Sequence, residues 1–191
     1  MFASGSKSVP TVGFLTVQEF TDLGLIGGYL ILNTVGRPLE FHCTAPVRPN
    51  RAQEILYGPT LAPFLYGEQI GQTLVAKGKS RPLFVCTDVE PVLSAREFVS
   101  APVVLITASG EAADGLTRAD AAHTTTPPPM SRKLLRFQLA GRPAAVGEDH
   151  AHDRDKVVEQ WQPHATAMDL LEPFSRLHEA IEEAQRGAAR T

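Results

Sequence analysis

The densest group of potential metal ligands in this chain lies at residues 147–155, with the sequence GEDHAHDRD. Imidazole nitrogens and carboxylate oxygens are ordinary donors to zinc and similar divalent ions. An H-x-H pair on an extended chain points both rings the same way. The loop holds six such side chains: Glu148, Asp149, His150, His152, Asp153 and Asp155. The candidate metal ligands are the middle four, Asp149, His150, His152 and Asp153.

Known metal-binding patterns differ from this loop. The metallo-β-lactamase type of pattern, H-x-H-x-D-H, needs an acidic residue and a histidine where Arg154 and Asp155 stand. An EF-hand needs a glycine in mid-loop, and none is present. The alternative is a solvated polar loop before a helix, with its carboxylates near the helix N-terminus. We expect the solvated loop and no cofactor, and keep as the alternative a small metal-dependent enzyme, for which zinc is a possible ion.

The two cysteines, Cys43 and Cys86, lie in separate apolar runs and not in a closely spaced pair. This favours buried, reduced thiols over a disulfide framework or a zinc knuckle. His42 precedes Cys43, but adjacent strand residues face opposite ways, so the histidine is badly placed to activate the thiol. The sequence therefore predicts no catalytic residue at these positions.

Anion-binding signals are limited to one turn. Gly24, Gly27 and Gly28 precede a predicted strand, whereas phosphate-binding glycines follow a strand and open a helix. Arg48 and Arg51 lie at a predicted helix start and form a candidate anion site. A solvated turn explains the same two arginines.

Composition indicates a soluble globular protein: 191 residues, 43% hydrophobic and 20% charged. The net charge of −3 and the pI near 6.1, without a basic cluster, argue against nucleic acid and anionic membranes as partners. No apolar run approaches the ~18 residues of a membrane span, and the first residues do not resemble a signal peptide. We therefore expect a cytoplasmic location.

The elements that would position these residues begin with a strand at 13–17 and a hairpin. Strands at 27–33 and 38–45 flank the turn NTVG at 33–36. Alternation places Leu39, Phe41 and Cys43 on one face, predicted to be the core face. Glu40, His42 and Thr44 share the other face, predicted to be the outer one.

Helices and further strands follow. Asn50 predicts a helix start, a second helix is expected from Thr60 to Lys77, and Ser94 with Glu97 fits a capping box. Strands are expected at 81–88 and 102–108, a second hairpin at 133–146, and a C-terminal helix after Asp169. The fold class is thus α/β (α+β), with a mixed, largely antiparallel sheet, packed helices and a C-terminal helix.

Composition also divides the chain. Residues 1–108 form a predicted α/β core domain, and 109–131 hold almost no large apolar side chains and predict a flexible linker open to proteolysis. Residues 132–191 form a C-terminal hairpin and helix.

The element order over about residues 12–108 resembles roadblock and longin-like regulatory domains, and residues 27–58 are similar to stretches of uncharacterised bacterial proteins. Neither resemblance supplies catalytic residues, and the first implies a regulatory role. The sequence therefore favours a non-enzymatic interaction or regulatory module whose partner is another protein or a second copy. A metal-dependent enzyme using 147–155 and a small-ligand-binding protein remain the alternatives. The aromatic residues available as interface anchors are Tyr29, Tyr57, Tyr66 and Trp161.

Overall fold

The structure is a computed structural model, and it describes residues 9–108 and 132–188. The predicted linker at 109–131, and the proteolytic cleavage expected in it, lie outside the described residues.

Within the described ranges, seven strands form one mixed sheet in the order β3-β2-β1-β4-β5-β7-β6. β1 runs parallel to β4 and β4 to β5, while all other neighbours are antiparallel. The predicted fold class is thereby confirmed. The strands are β1 (Thr11–Phe20), β2 (Gly24–Asn33), β3 (Pro38–Cys43), β4 (Val85–Thr87), β5 (Val103–Ile106), β6 (Leu134–Leu139) and β7 (Arg142–Gly147).

The predicted β2–β3 hairpin is confirmed, with Tyr29 opposite His42 and Leu30 opposite Phe41. Its turn closes because the Asn33 carbonyl accepts a hydrogen bond from the Gly36 amide at 3.0 Å. The Asn33 side chain also accepts from the amides of Val35 and Arg37. Gly36 has a φ of +81°, a conformation that favours glycine.

One face of the sheet is covered by helices from the middle of the chain. These are α1 (Arg51–Tyr57), α2 (Leu61–Pro63), a π-helix (Phe64–Gln72), α3 (Thr73–Lys77) and a 3-10 helix (Glu90–Glu97). The Asn50 cap is confirmed, since its side chain accepts from the Gln53 amide at 2.9 Å. Ser94 does not cap as predicted: its hydroxyl donates to the Pro63 carbonyl at 3.0 Å and joins the 3-10 helix to α2.

The other face is covered by α4 (His152–Trp161) and α5 (Glu172–Ala188). Phe174 meets Phe14 edge to face at 5.5 Å, and Trp161 meets Phe84 in the same manner at 5.6 Å. Gly28 permits the close approach of α5, because a Cβ there would lie 2.5 Å from the Ile181 side chain. The predicted C-terminal helix therefore packs onto the sheet of its own chain.

The C-terminal hairpin belongs to the same sheet as the N-terminal strands. β7 pairs with β5, with Leu105 opposite Ala145, and β6 forms the outer strand. The stretches 9–108 and 132–188 thus build one sheet with a core on each face. Among these residues, the structure contains no helix with the length and apolar character needed to cross a bilayer.

Candidate functional site

β3 lies at one edge of the sheet and pairs with β2 alone within the described residues. The Thr44 amide donates to the Gly27 carbonyl at 3.0 Å, which fixes the direction of the neighbouring backbone groups. Hydrogen-bonded and non-hydrogen-bonded pairs alternate along an antiparallel ladder. His42 and Glu40 therefore point their backbone groups at β2, and Phe41 and Cys43 point theirs away from the sheet.

Two large apolar side chains are exposed on this edge: Leu39 is 46% exposed and Phe41 is 42% exposed. Phe41 stands opposite Leu30, so it lies on the face that α5 covers. The prediction that the side chains of these two residues are buried in the core is wrong, because both are exposed. Phe41 lies on the predicted face, but α5 packs over β1 and β2, so the outermost strand is left partly uncovered.

A β-bulge limits how much of this edge is regular. Ile31 stands opposite Glu40 and Leu32 opposite Pro38, so Leu39 is an extra residue in β3. Bulges and edge prolines interrupt the backbone groups that would otherwise pair with any other chain. The regular outward ladder is therefore confined to residues 40–43.

The opposite face of β3 is more enclosed than the sequence suggests. The Glu40 carboxylate, 14% exposed, accepts hydrogen bonds from the Lys79 amide at 2.8 Å and the Ser80 amide at 2.7 Å. The Ser80 hydroxyl also donates to it, and His42 Nε2 lies 3.2 Å away. The expectation that Glu40 and His42 lie on the outside is corrected here, because the loop after α3 folds over them.

We expect the Glu40→Gln variant to lose about 1–2 kcal/mol of unfolding free energy at neutral pH, since several donors lose a charged acceptor. The hydrogen bond from the Ser80 hydroxyl is the largest cause that lowers the pKa of Glu40 from 4.5 to about 2. A lowered pKa stabilises the fold above the ordinary value, and this stability is lost as the pH falls through the lowered one. In urea titrations the gap between wild type and variant should therefore close between about pH 4.5 and about pH 2. A gap that is constant over this range would contradict the assignment.

A second polar cluster joins α5 to the sheet. Thr16 Oγ1 donates to Asp88 Oδ1 at 2.6 Å, and His178 Nε2 lies 3.0 Å from Asp88 Oδ2 and 3.2 Å from Thr16 Oγ1. Thr16 and Asp88 follow two residues after the paired Phe14 and Cys86 on parallel strands. In the strand order, β1 continues into β2 on one flank of this pair and β4 continues into β5 on the other. Open α/β sheets bind ligands at the carboxyl ends of strands where the strand order diverges in this way.

The geometry of this cluster differs from that of a catalytic triad. A triad hydroxyl is hydrogen-bonded to one histidine nitrogen, while the carboxylate holds the other. Here the same Nε2 contacts both groups, the hydroxyl donates to the carboxylate, and Thr16 is fully buried. The cluster is suited to holding α5 in place.

We expect the His178→Ala variant to lose about 1 kcal/mol of stability at mildly acidic pH, a modest value because the ion pair is partly solvated. The hydrogen bond with Asp88 raises the pKa of His178 above 6.5. A raised pKa stabilises the fold below the ordinary value, and this contribution is lost as the pH rises through the raised one. The difference in melting temperature between wild type and variant should shrink from mildly acidic to alkaline pH. A difference that grows with pH would contradict this.

The two arginines of the predicted anion site have different partners within the chain. Arg48 Nε donates to the Leu23 carbonyl at 2.9 Å, and its terminal nitrogen donates to the Asp22 carbonyl, so this side chain closes the β1–β2 turn. Arg51 is 82% exposed and pairs with Glu54 at 3.0 Å. Each guanidinium already has a partner within the chain.

The predicted metal loop is helical. Residues Glu148–His150 form a 3-10 turn and α4 begins at His152, so the expectation of an extended H-x-H segment and a loop is corrected. The rings of His150 and His152 are 6.2 Å apart and inclined at 71°. Asp153 is 1% exposed and forms an ion pair with Arg96 at 2.6 Å, while Asp149 lies in the 3-10 turn. In the described ranges no three His, Cys, Asp or Glu side chains are placed to hold a metal ion.

The two cysteines are poorly suited to nucleophilic chemistry. Burial raises the pKa of the Cys86 and Cys43 thiols, which disfavours the nucleophilic thiolate.

The predicted aromatic anchors pack within the chain. Tyr29 and Trp161 are fully buried, and Tyr57 stacks on Phe64 at 4.1 Å. Tyr66 is half-buried against the core. The exposed aromatic residue at the sheet edge is instead Phe41.

The chain was compared with known proteins, and neither a protein-family model nor a curated protein matches it. Function is therefore inferred from the geometry of the site.

Proposed function

We propose that this protein is a non-enzymatic interaction module that binds another polypeptide along the edge of β3. The observation that carries this proposal is that outward backbone groups at Phe41 and Cys43 coincide with exposed side chains at Leu39 and Phe41. An added strand would form main-chain hydrogen bonds with this edge and cover the apolar side chains.

The rigidity of β3 supports a binding role. β2 holds one side of the strand, and Glu40 fixes it to the loop at Lys79 and Ser80. A strand that is already ordered loses little conformational freedom on binding, so more of the contact energy remains as affinity.

The two sheet edges also differ in their side chains. Among the described residues, the large apolar side chains with high exposure include Leu39 and Phe41 of β3 and none from β6. β6 instead exposes Arg136 and Gln138, which are polar. Edge strands that avoid association carry such residues, so β3 is the edge that favours a partner. The resemblance in element order to roadblock and longin-like domains is consistent with a regulatory role.

The test is affinity purification of the tagged full-length protein from its native lysate. We expect a bound polypeptide, either another protein or an untagged copy, to be reduced about tenfold or more by Phe41→Asp, because a charge replaces the apolar anchor. Leu56→Asp is the matched control, since Leu56 is 81% exposed on α1, and it should bind as wild type does. Binding that Phe41→Asp leaves unchanged, or wild type that binds no polypeptide, would refute the proposal.

A further inference from the structure

We infer that the strand added to β3 is β3 of a second copy, arranged antiparallel about a twofold axis that passes between the two Phe41 residues. This inference rests on the proposed function and deepens it by naming the partner. Its basis is the backbone direction and charge order of residues 40–43.

The backbone geometry favours a pair centred on Phe41. Because Phe41 points its N–H and C=O outward, two copies of this residue can exchange both hydrogen bonds across a twofold axis. Its neighbours then face each other as non-hydrogen-bonded pairs, with Glu40 of each copy opposite His42 of the other. Their own backbone groups stay bonded to β2, so the new ladder competes with no existing hydrogen bond.

The order of the polar side chains Glu40 and His42 selects this register over its neighbours. Moving the register by two residues in one direction places Phe41 opposite Leu39 and brings the two Glu40 carboxylates opposite each other. Moving it the other way places Phe41 opposite Cys43 and sets the two His42 rings face to face. Like charges directly opposite each other are unfavourable in a sheet, whereas a hydrogen-bond acceptor opposite a donor is favourable. The Phe41-centred register alone of these three alternates Glu40 with His42.

Apolar contact between the two Phe41 side chains favours this dimer, and the bulge limits its length. The two Phe41 side chains, each 42% exposed in the single chain, would lie side by side on one face of the joined sheet. The bulge at Leu39 ends the regular ladder on both sides of the axis. Such an isologous contact closes as a dimer and does not extend into a fibre. Because the ladder is short, we expect a concentration-dependent equilibrium between monomer and dimer.

Analytical ultracentrifugation of the full-length protein over a concentration series tests the inference. Wild type should shift from 20.6 kDa toward twice that mass, and Leu56→Asp should behave in the same way. Phe41→Asp should remain monomeric at every concentration. A wild type that stays monomeric, or a dimer that persists in Phe41→Asp, would overturn the inference; in the first case Phe41-dependent capture of a different protein would leave the proposed function standing.

The register has its own test at His42. His42→Lys places a positive group opposite Glu40 of the second copy and should dimerise at least as tightly as wild type. His42→Glu places two carboxylates opposite each other and should weaken dimerisation about tenfold or more. Melting curves of both variants report whether each still folds, and only folded variants are compared. Equal dimer affinities for folded His42→Lys and His42→Glu would overturn the assigned register.

Discussion

Replacing Asp153 with alanine is expected to lower the free energy of unfolding by about 3 kcal/mol, because it leaves a largely buried guanidinium without its counter-charge. Asp153 is 1% exposed and accepts hydrogen bonds from Arg96 Nε at 2.6 Å and from its terminal nitrogen at 3.3 Å. Arg96 is 17% exposed and also donates to the Val99 carbonyl. This ion pair joins α4 to the 3-10 helix between β4 and β5.

Chemical denaturation of wild type, Asp153→Ala and Asp155→Ala measures this effect. Asp155 is 75% exposed and pairs with the adjacent Arg154, so its removal should change stability by about 0.5 kcal/mol or less. Equal effects of the two substitutions would show that the buried ion pair is not what stabilises this region.

Because Asp153 is already paired, we also expect chelation of divalent ions to leave the melting temperature unchanged. A fall comparable to that of Asp153→Ala would instead indicate a metal.

The second large effect is expected at Gly67, where alanine should lower the free energy of unfolding by about 2 kcal/mol, as overpacked cores do. A Cβ at this position would lie 2.1 Å from Ser94 Oγ and 2.8 Å from the Ala95 backbone nitrogen. The π-helix and the 3-10 helix would have to separate, because backbone atoms cannot move aside as a side-chain end can.

Gly187→Ala is the matched control for this substitution. Gly187 lies in α5, where an added Cβ meets no atom within 4 Å. Alanine also has a higher helix propensity than glycine, so the control should be neutral or slightly stabilising. Thermal unfolding of both variants provides the comparison. Wild-type stability in Gly67→Ala would contradict the close packing of these two helices.

The parts of the fold that local signals determine could be predicted from the sequence. Asn50 caps α1 and α3 ends at Lys77, as expected, and the Asn33–Gly36 turn fixes the hairpin. Each of these signals acts over a few residues, so neighbouring side chains suffice to recognise it. The start of α4 was missed because Ala151 precedes it and provides no side-chain cap.

The candidate site depended on contacts between distant parts of the chain. Leu39, Phe41 and Cys43 alternate as a core face would, and their exposure follows only from the position of β3 at the sheet edge. Glu40 is enclosed by a loop about forty residues further along. Periodicity shows which residues share a face, but it does not show which strand is outermost or what covers it.

Amide hydrogen exchange at single-residue resolution tests most directly whether a strand pairs with β3. In the dilute protein the Phe41 amide should exchange rapidly, because it points outward, and the His42 amide should exchange slowly, because it bonds to β2. In the associated state, at high concentration or with the co-purified partner, the Phe41 amide should become at least as protected as that of His42. An unchanged exchange rate at Phe41 in a complex of proven mass would contradict the proposal that this protein binds through its β3 edge.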